Sequence, residues 1–172
     1  LYPFQYLIDN GVNSVMIAHL SVPALEKRSN LPSTLSHDIV TDLLKDNMGF
    51  EGLVVTDGLD MKGVTKYYDV GMVALKALEA GNDILLIPDD VPASIQNIKN
   101  AVLAGKVTEE HLAYSCKKIL KFKYLSGAWK NRIIDTSGLI RDLNNPKFIS
   151  TAEKLFEESV TIDKNEDAII PL

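Results

Sequence analysis

A single cysteine in 172 residues, Cys116, leaves no partner for an internal disulfide and no cysteine cluster for a metal. Basic charge is also scarce: 18 Lys and Arg stand against 23 Asp and Glu, for a net charge of −5. No Lys/Arg stripe is massed to replace phosphate counterions, which argues against nucleic acid or an anionic membrane surface as partner. No apolar run approaches the roughly 18 residues that span a bilayer, and no signal-peptide pattern opens the chain. Glycine-rich phosphate loops, His-Glu-x-x-His helices and nucleophile elbows are all missing. The expectation is therefore no membrane, no nucleic acid, no cofactor and no metal, with a neutral or small-molecule partner. The opening "LYPFQYLIDNG" lacks an initiator methionine and reads as a helix already in progress, so a piece of a longer polypeptide is expected.

What is present is an ordinary globular composition, 46% hydrophobic and 24% charged. Three short apolar runs, Ser14 to Ala18, Leu53 to Thr56 and Ile84 to Ile87, are too short for helices and fit parallel strands covered on both faces. Helical patterns alternate with them. Ile39, Val40, Leu43 and Leu44 share one face of a helix that Ser36 caps and Gly49 ends. Val70, Val73, Ala74, Ala77 and Leu78 form a second stripe closed by Gly81, and Ile95, Ile98 and Val102 a third between Pro92 and Gly105. A last helix runs from the N-cap Thr108 to about Leu125, with Leu112, Cys116, Ile119 and Leu120 as its buried stripe. The strands recur at the unit length expected when about 250 residues are shared among eight strand-helix pairs of a barrel. A doubly wound open sheet gives a similar rhythm.

Beyond residue 127 the period is lost. Residues 128–145, "AWKNRIIDTSGLIRDLNN", read as a linker with Trp129 as an anchor, followed by a short helix from Pro146 to Glu158 and a strand from Ser159 to Ile162.

In parallel α/β folds chemistry gathers at the carboxyl ends of strands. Those positions hold His19, Asp57, and the pair Asp89 and Asp90, a polar and mainly acidic mouth suited to polyhydroxy ligands or developing positive charge. Asp57 has two readings at this level: an Asx turn former, or a nucleophile or general base. Asp60, three residues on, completes no recognised metal motif and reads as a loop residue. His19 is a packed strand-end donor or a ligand contact. Met61 reads as packing or as a thioether beside a sugar ring. His37 and His111 read as surface helix residues and Cys116 as a core filler.

The stretch "GFEGLVVTDGLDMKGV" resembles the nucleophile segment of glycoside hydrolase family 3, in particular its β-N-acetylhexosaminidase branch. Phe50, Gly52, the apolar strand, Thr56, Asp57, Leu59 and Met61 carry the likeness. "VNSVMIAHLSVPALE" resembles the preceding strand and loop, "EAGNDILLIPDD" the last barrel strand, and "AVLAGKVTEEHLAYSCKKILKFKYLSG" the closing helices. The resemblance implies the last three strand-helix units of a (β/α)8 TIM-type barrel over residues 1–127, a linker, and over 146–172 the start of a following α/β sandwich domain. It implies Asp57 as the catalytic nucleophile of a retaining mechanism, with Met61 and His19 bordering the subsite for an N-acetylglucosamine-containing sugar. It also implies a histidine acid/base on a loop that nothing here matches. A fragment of this kind is expected to be inactive alone, to need the N-terminal half of the barrel as its partner, and to be prone to self-association. Two alternatives stay open: a noncatalytic sugar-binding scaffold of the same fold, and a flavodoxin-like domain with Asp57 as phosphoacceptor.

Overall fold

Strand β1, Ser14–Ile17, and strand β2, Leu53–Thr56, lie parallel in register, Ser14 beside Leu53 and Ile17 beside Thr56. They belong to a computed structural model that describes residues 1–161. Parallel strands need a crossover, and the intervening chain supplies one. Helix α1, Tyr2–Asp9, precedes β1; a 3₁₀ turn, Ser33–Leu35, and a ten-residue π-helix, Asp38–Asn47, connect β1 to β2. After β2 come α2 (Lys62–Thr65), α3 (Met72–Ala80), α4 (Val91–Leu103), α5 (Glu109–Leu125), α6 (Leu139–Leu143) and α7 (Pro146–Ser159). The chain is thus α/β and helix-rich, with few strands.

The expected crossover helix is wider than an α-helix: the Met48 amide reaches the Leu43 carbonyl, five residues back. Ser36 still serves its start, its Oγ accepting from the Ile39 amide at 3.3 Å. Val40, Leu44 and Met48 recur every fourth residue and bury with Ile17, Phe50, Val54 and Ala80 in one cluster. On α3, Val73, Ala74 and Ala77 pack with Leu35, Leu59 and Val64 in a second. Gly81 ends α3 at φ +110°, a left-handed cap that a side chain would strain, and a Cβ there would collide with Thr41 Oγ1. Asp90 and Thr108 cap α4 and α5 through the amides of Ala93 (2.8 Å) and His111 (3.1 Å).

Four expectations need correction. Residues Ile84 to Ile87 form no ladder strand: only Ile84 bridges, to Val55. The reason is a tertiary contact, since the Leu86 amide donates at 2.9 Å to the Thr56 hydroxyl, a side-chain acceptor that stands outside the backbone ladder. On α5 the buried face is polar, Ser115 and Lys118, while Cys116 and Leu120 are exposed and Leu112 and Ile119 half-buried. Both buried groups turn toward a buried carboxylate, Asp83, which fixes the rotation of the helix. Val70 and Ile95 face solvent, Val70 because α3 begins only at Met72. Residues 128–145 are not all linker: Gly138, left-handed, starts the short helix α6.

The chain divides into two compact units, Leu1–Lys130 and Asn131–Leu172. In the first, Trp129 stacks on Tyr124 with ring centroids 5.4 Å apart, which gives it the anchoring contact expected. In the second, Asn145 caps α7 by accepting from the Lys147 amide. Ser159 closes that helix, and Ile162, the end of the expected last strand, lies outside the described residues. Among the described residues no helix is long and apolar enough to cross a membrane.

Candidate active site

The parallel register places the carboxyl ends of β1 and β2 side by side, so Asp57 emerges next to Ala18 and His19. The Asp57 amide donates to the Ile17 carbonyl at 3.1 Å, extending the ladder one step past β2. On the other side the Thr56 amide donates to Ile84 O and the Leu59 amide to Leu86 O. The Leu59 side chain is fully buried among Leu35, Val64 and Val73. A short turn is thereby pinned at both ends, with Asp57 half-buried at its start. Among the described residues the one hydrogen bond to the Asp57 carboxylate comes from the Gly58 amide, at 2.8 Å to Oδ1. A carboxylate only accepts, and with a single donor on it lone pairs remain free for an electrophile.

His19 is half-buried and bridges two loops. Its Nε2 lies 2.8 Å from Gly58 O and its Nδ1 2.7 Å from Thr34 Oγ1. A carbonyl only accepts, so Nε2 carries a proton. In the neutral ring Nδ1 is then the acceptor, and the Thr34 hydroxyl donates to it. Thr34 Oγ1 also stands 2.9 Å from Ala18 O and 3.2 Å from Ile17 O, the acceptors to which it turns if the ring is doubly protonated. Thr34 itself is held from behind, because Asn82 Nδ2 donates to its carbonyl at 2.9 Å.

Met61 precedes α2 with its side chain 48% exposed, beside the same turn. Its amide donates to Gly58 O at 3.2 Å, a second donor on the carbonyl that His19 holds. Asp60 is exposed. Asp89 Oδ1 accepts from the amides of Gly71 and Asp90, and Asp90 caps α4, so both carboxylates are occupied by backbone. Ile87, just before them, sits at φ +44°, a left-handed conformation that is rare for a β-branched residue. His37, Asp38 and Asp42 cluster within 4.8 Å on an exposed helix surface. His37 is paired with Asp42 at 3.0 Å and Asp38 with Arg28 at 3.0 Å. His37 is a surface residue as expected, whereas His111 is half-buried, and burial beside the Lys45 cation pushes its pKa down.

Two buried acids escape a reading based on strand ends. Glu26, 4% exposed in the loop after β1, accepts from Arg28 Nε at 2.8 Å, from Arg28 Nη2 at 2.7 Å and from Ser36 Oγ at 2.5 Å. It ties that loop to the residue that starts the π-helix. No periodicity marks it. The Arg28 guanidinium holds the Glu26 carboxyl down to about 2, against the opposing effect of burial. A depressed acid contributes stability that is complete above its unfolded value, near 4.5, and lost as pH falls toward 2. Urea unfolding at pH 7 and pH 3 is expected to show this loss, and Glu26→Gln to flatten the dependence in that window. Equal pH slopes in both proteins would contradict it. Asp83, the second acid, follows α3 in the text "GNDILL", and its one signal is an acid joined directly to an apolar run.

Comparison with known proteins converges on one family. Residues 1–122 match the glycosyl hydrolase family 3 N-terminal domain. A β-N-acetylglucosaminidase/β-glucosidase from Cellulomonas fimi is 26% identical over 177 residues, an alignment covering 98% of this chain and 31% of that protein. β-Hexosaminidase A from Pseudoalteromonas piscicida is 29% identical, over 100% of this chain and 31% of its own length. The solved structure of a glycoside hydrolase family 3 β-N-acetylglucosaminidase from Paenibacillus sp. superposes with a TM-score of 0.72 at 34% identity, covering 77% of this chain and 26% of that one. The chain thus spans about a third of the curated relatives it matches. With a parallel strand pair that delivers a half-buried aspartate to its carboxyl end, and with residues 1–122 matching the family's N-terminal domain, the chain belongs to glycoside hydrolase family 3.

Proposed function

We propose that this chain is the C-terminal part of the catalytic barrel of a retaining β-N-acetylhexosaminidase. Its substrates are terminal N-acetylglucosamine residues of peptidoglycan-derived or chitin-like sugars. The observation that carries the reading is the setting of Asp57: a rigid strand end, one amide donor at 2.8 Å, and free acceptor capacity on the carboxylate. In such a mechanism the carboxylate attacks the anomeric carbon and the aglycone oxygen leaves with a proton from a general acid. A glycosyl ester forms on Asp57, and water then cleaves it. Met61 borders the sugar ring with its exposed thioether, and His19 lines the neighbouring strand end.

Support for the sugar comes from the relatives. The Paenibacillus structure carries a β-N-acetylglucosaminidase name and the Pseudoalteromonas protein a β-hexosaminidase name, while the Cellulomonas protein carries both β-N-acetylglucosaminidase and β-glucosidase names. A barrel remainder is the partner that fits. Met16, Leu1 and Phe4 are exposed around β1, and an apolar cavity of about 230 Å³ is lined by Val15, Ile17, Leu20 and Leu43. General acid-base assistance is worth about 10² to 10⁴ in rate, so the 172-residue chain alone is expected to hydrolyse aryl N-acetylglucosaminide negligibly. The longer protein carrying the whole barrel is expected to favour that substrate over aryl glucoside. A monomeric 172-residue chain turning over at ordinary enzymatic rates contradicts the partial-barrel reading. Equal or better turnover of the glucoside contradicts the assignment of the sugar. Binding of N-acetylglucosamine without hydrolysis in the longer protein leaves the scaffold alternative.

A further inference from the structure

We propose that His19 is a positioning residue for Asp57, acting through the Gly58 carbonyl and fixed in its own orientation by Thr34. The proposal rests on the reading of Asp57 as nucleophile. Both imidazole nitrogens are spent inside the protein, Nε2 on Gly58 O at 2.8 Å and Nδ1 on Thr34 Oγ1 at 2.7 Å, which leaves neither for a sugar hydroxyl. The ring therefore works on the turn.

The turn needs such a clamp because of its composition. Gly58 follows Asp57, and a glycine loses more conformational freedom on ordering than any other residue. Its amide is the group that orients Asp57 Oδ1. If the Gly58 torsions spread, that amide swings and the carboxylate loses its aim. The imidazole takes hold of the other end of the same residue, its carbonyl, so amide and carbonyl are fixed together. His19 gains its own rigidity from three directions. The Thr34 hydroxyl gives its one proton to Nδ1, the Thr34 carbonyl is held by Asn82 Nδ2, and Gly63 leaves the ring its place. A methyl on Gly63 would come within 3.3 Å of His19 Cβ. The Ile17 carbonyl, two residues before His19, accepts from the Asp57 amide at 3.1 Å, so the segment that carries His19 also holds the nucleophile's own peptide.

The test uses the longer protein with the whole barrel and reads labelling of Asp57 by a mechanism-based fluorosugar, together with kcat and KM. Misplacing a reacting group by about 1 Å costs about 10²-fold, so His19→Ala is expected to slow labelling and kcat by that order with KM within about twofold. His19→Gln, whose amide can donate where Nε2 did, is expected to recover about tenfold. Thr34→Ser should match the unmutated protein and Thr34→Val should fall between. Nitrogen-15 NMR of the unmutated protein is expected to show His19 with its proton on Nε2. A raised KM with unchanged kcat would make His19 a sugar contact and overturn the proposal. So would a Gln variant, folded by circular dichroism, no better than Ala, or a neutral ring protonated on Nδ1. Should His19→Ala fail to fold, Thr34→Val and the tautomer decide. Label on a carboxylate other than Asp57 overturns the nucleophile reading and this proposal together, whereas labelling of Asp57 at an unchanged rate in His19→Ala overturns this proposal alone.

Discussion

Asp57→Ala in the longer protein is expected to lower kcat by about 10⁴-fold or more, the scale on which a covalent nucleophile is lost. The sharper variant is Asp57→Asn. Its side-chain oxygen still accepts from the Gly58 amide and keeps the Asx geometry of the turn, but an amide does not attack an anomeric carbon. If Asp57 is only a turn former, Asn retains turnover and Ala loses stability. If it is the nucleophile, Asn and Ala are equally inactive, Asn unfolds at the wild-type urea midpoint, and a fluorosugar labels the unmutated protein at position 57. Because Asp57 lies outside the buried clusters, its loss is not expected to unfold the chain. This pair of variants separates the two readings that spacing leaves open.

Asp83→Ala is expected to be the most destabilising single substitution, by about 3–5 kcal/mol in urea unfolding of the 172-residue chain, the usual cost of orphaning a buried charge partner. The Asp83 side chain is fully buried. It accepts from Lys118 Nζ at 2.7 Å, from Ser115 Oγ at 2.9 Å and from the Val54 amide at 2.9 Å, with Lys45 Nζ at 3.9 Å. Removing it strands the Lys118 cation, a hydroxyl and a β2 amide at once, and takes the neighbouring anion from Lys45, which keeps the Gly81 carbonyl. Burial already presses the Lys45 pKa down against the pull of Asp83, and without that pull it falls further. Lys118→Met should cost less, since Asp83 keeps the Val54 amide, Ser115 and Lys45. A drop below about 1 kcal/mol for Asp83→Ala would show that water replaces the network. Against total stabilities of about 5–15 kcal/mol the expected loss is a large fraction, and it unfolds much of the population only at the low end of that range.

The helices were largely legible because their signals are local. Thr108 and Pro92 mark starts, Gly81 marks an end, and the apolar residues of α3 repeat at helical spacing. The failures are non-local. Ile84 to Ile87 read as a strand by apolarity, but Thr56 Oγ1 captures the Leu86 amide, and a side chain 30 residues away leaves no mark on the run itself. Cys116 and Leu120 read as core by period, yet α5 turns Ser115 and Lys118 inward because Asp83 waits there. The widened turn of the crossover helix had no sequence signal in its apolar face.

The site divides the same way. Sequence by itself determined the α/β class, the strand-end position of Asp57 and the family to which its surroundings belong, since strand ends and motif order are properties of neighbouring residues. Tertiary structure alone decided what surrounds the carboxylate. Thr34 and Asn82 lie 15 and 63 residues from His19 in the sequence, and backbone amides occupy the carboxylates of Asp89 and Asp90. The physical reason is that a hydrogen bond depends on distance in space and on unused donors, and neither is written in the order of residues.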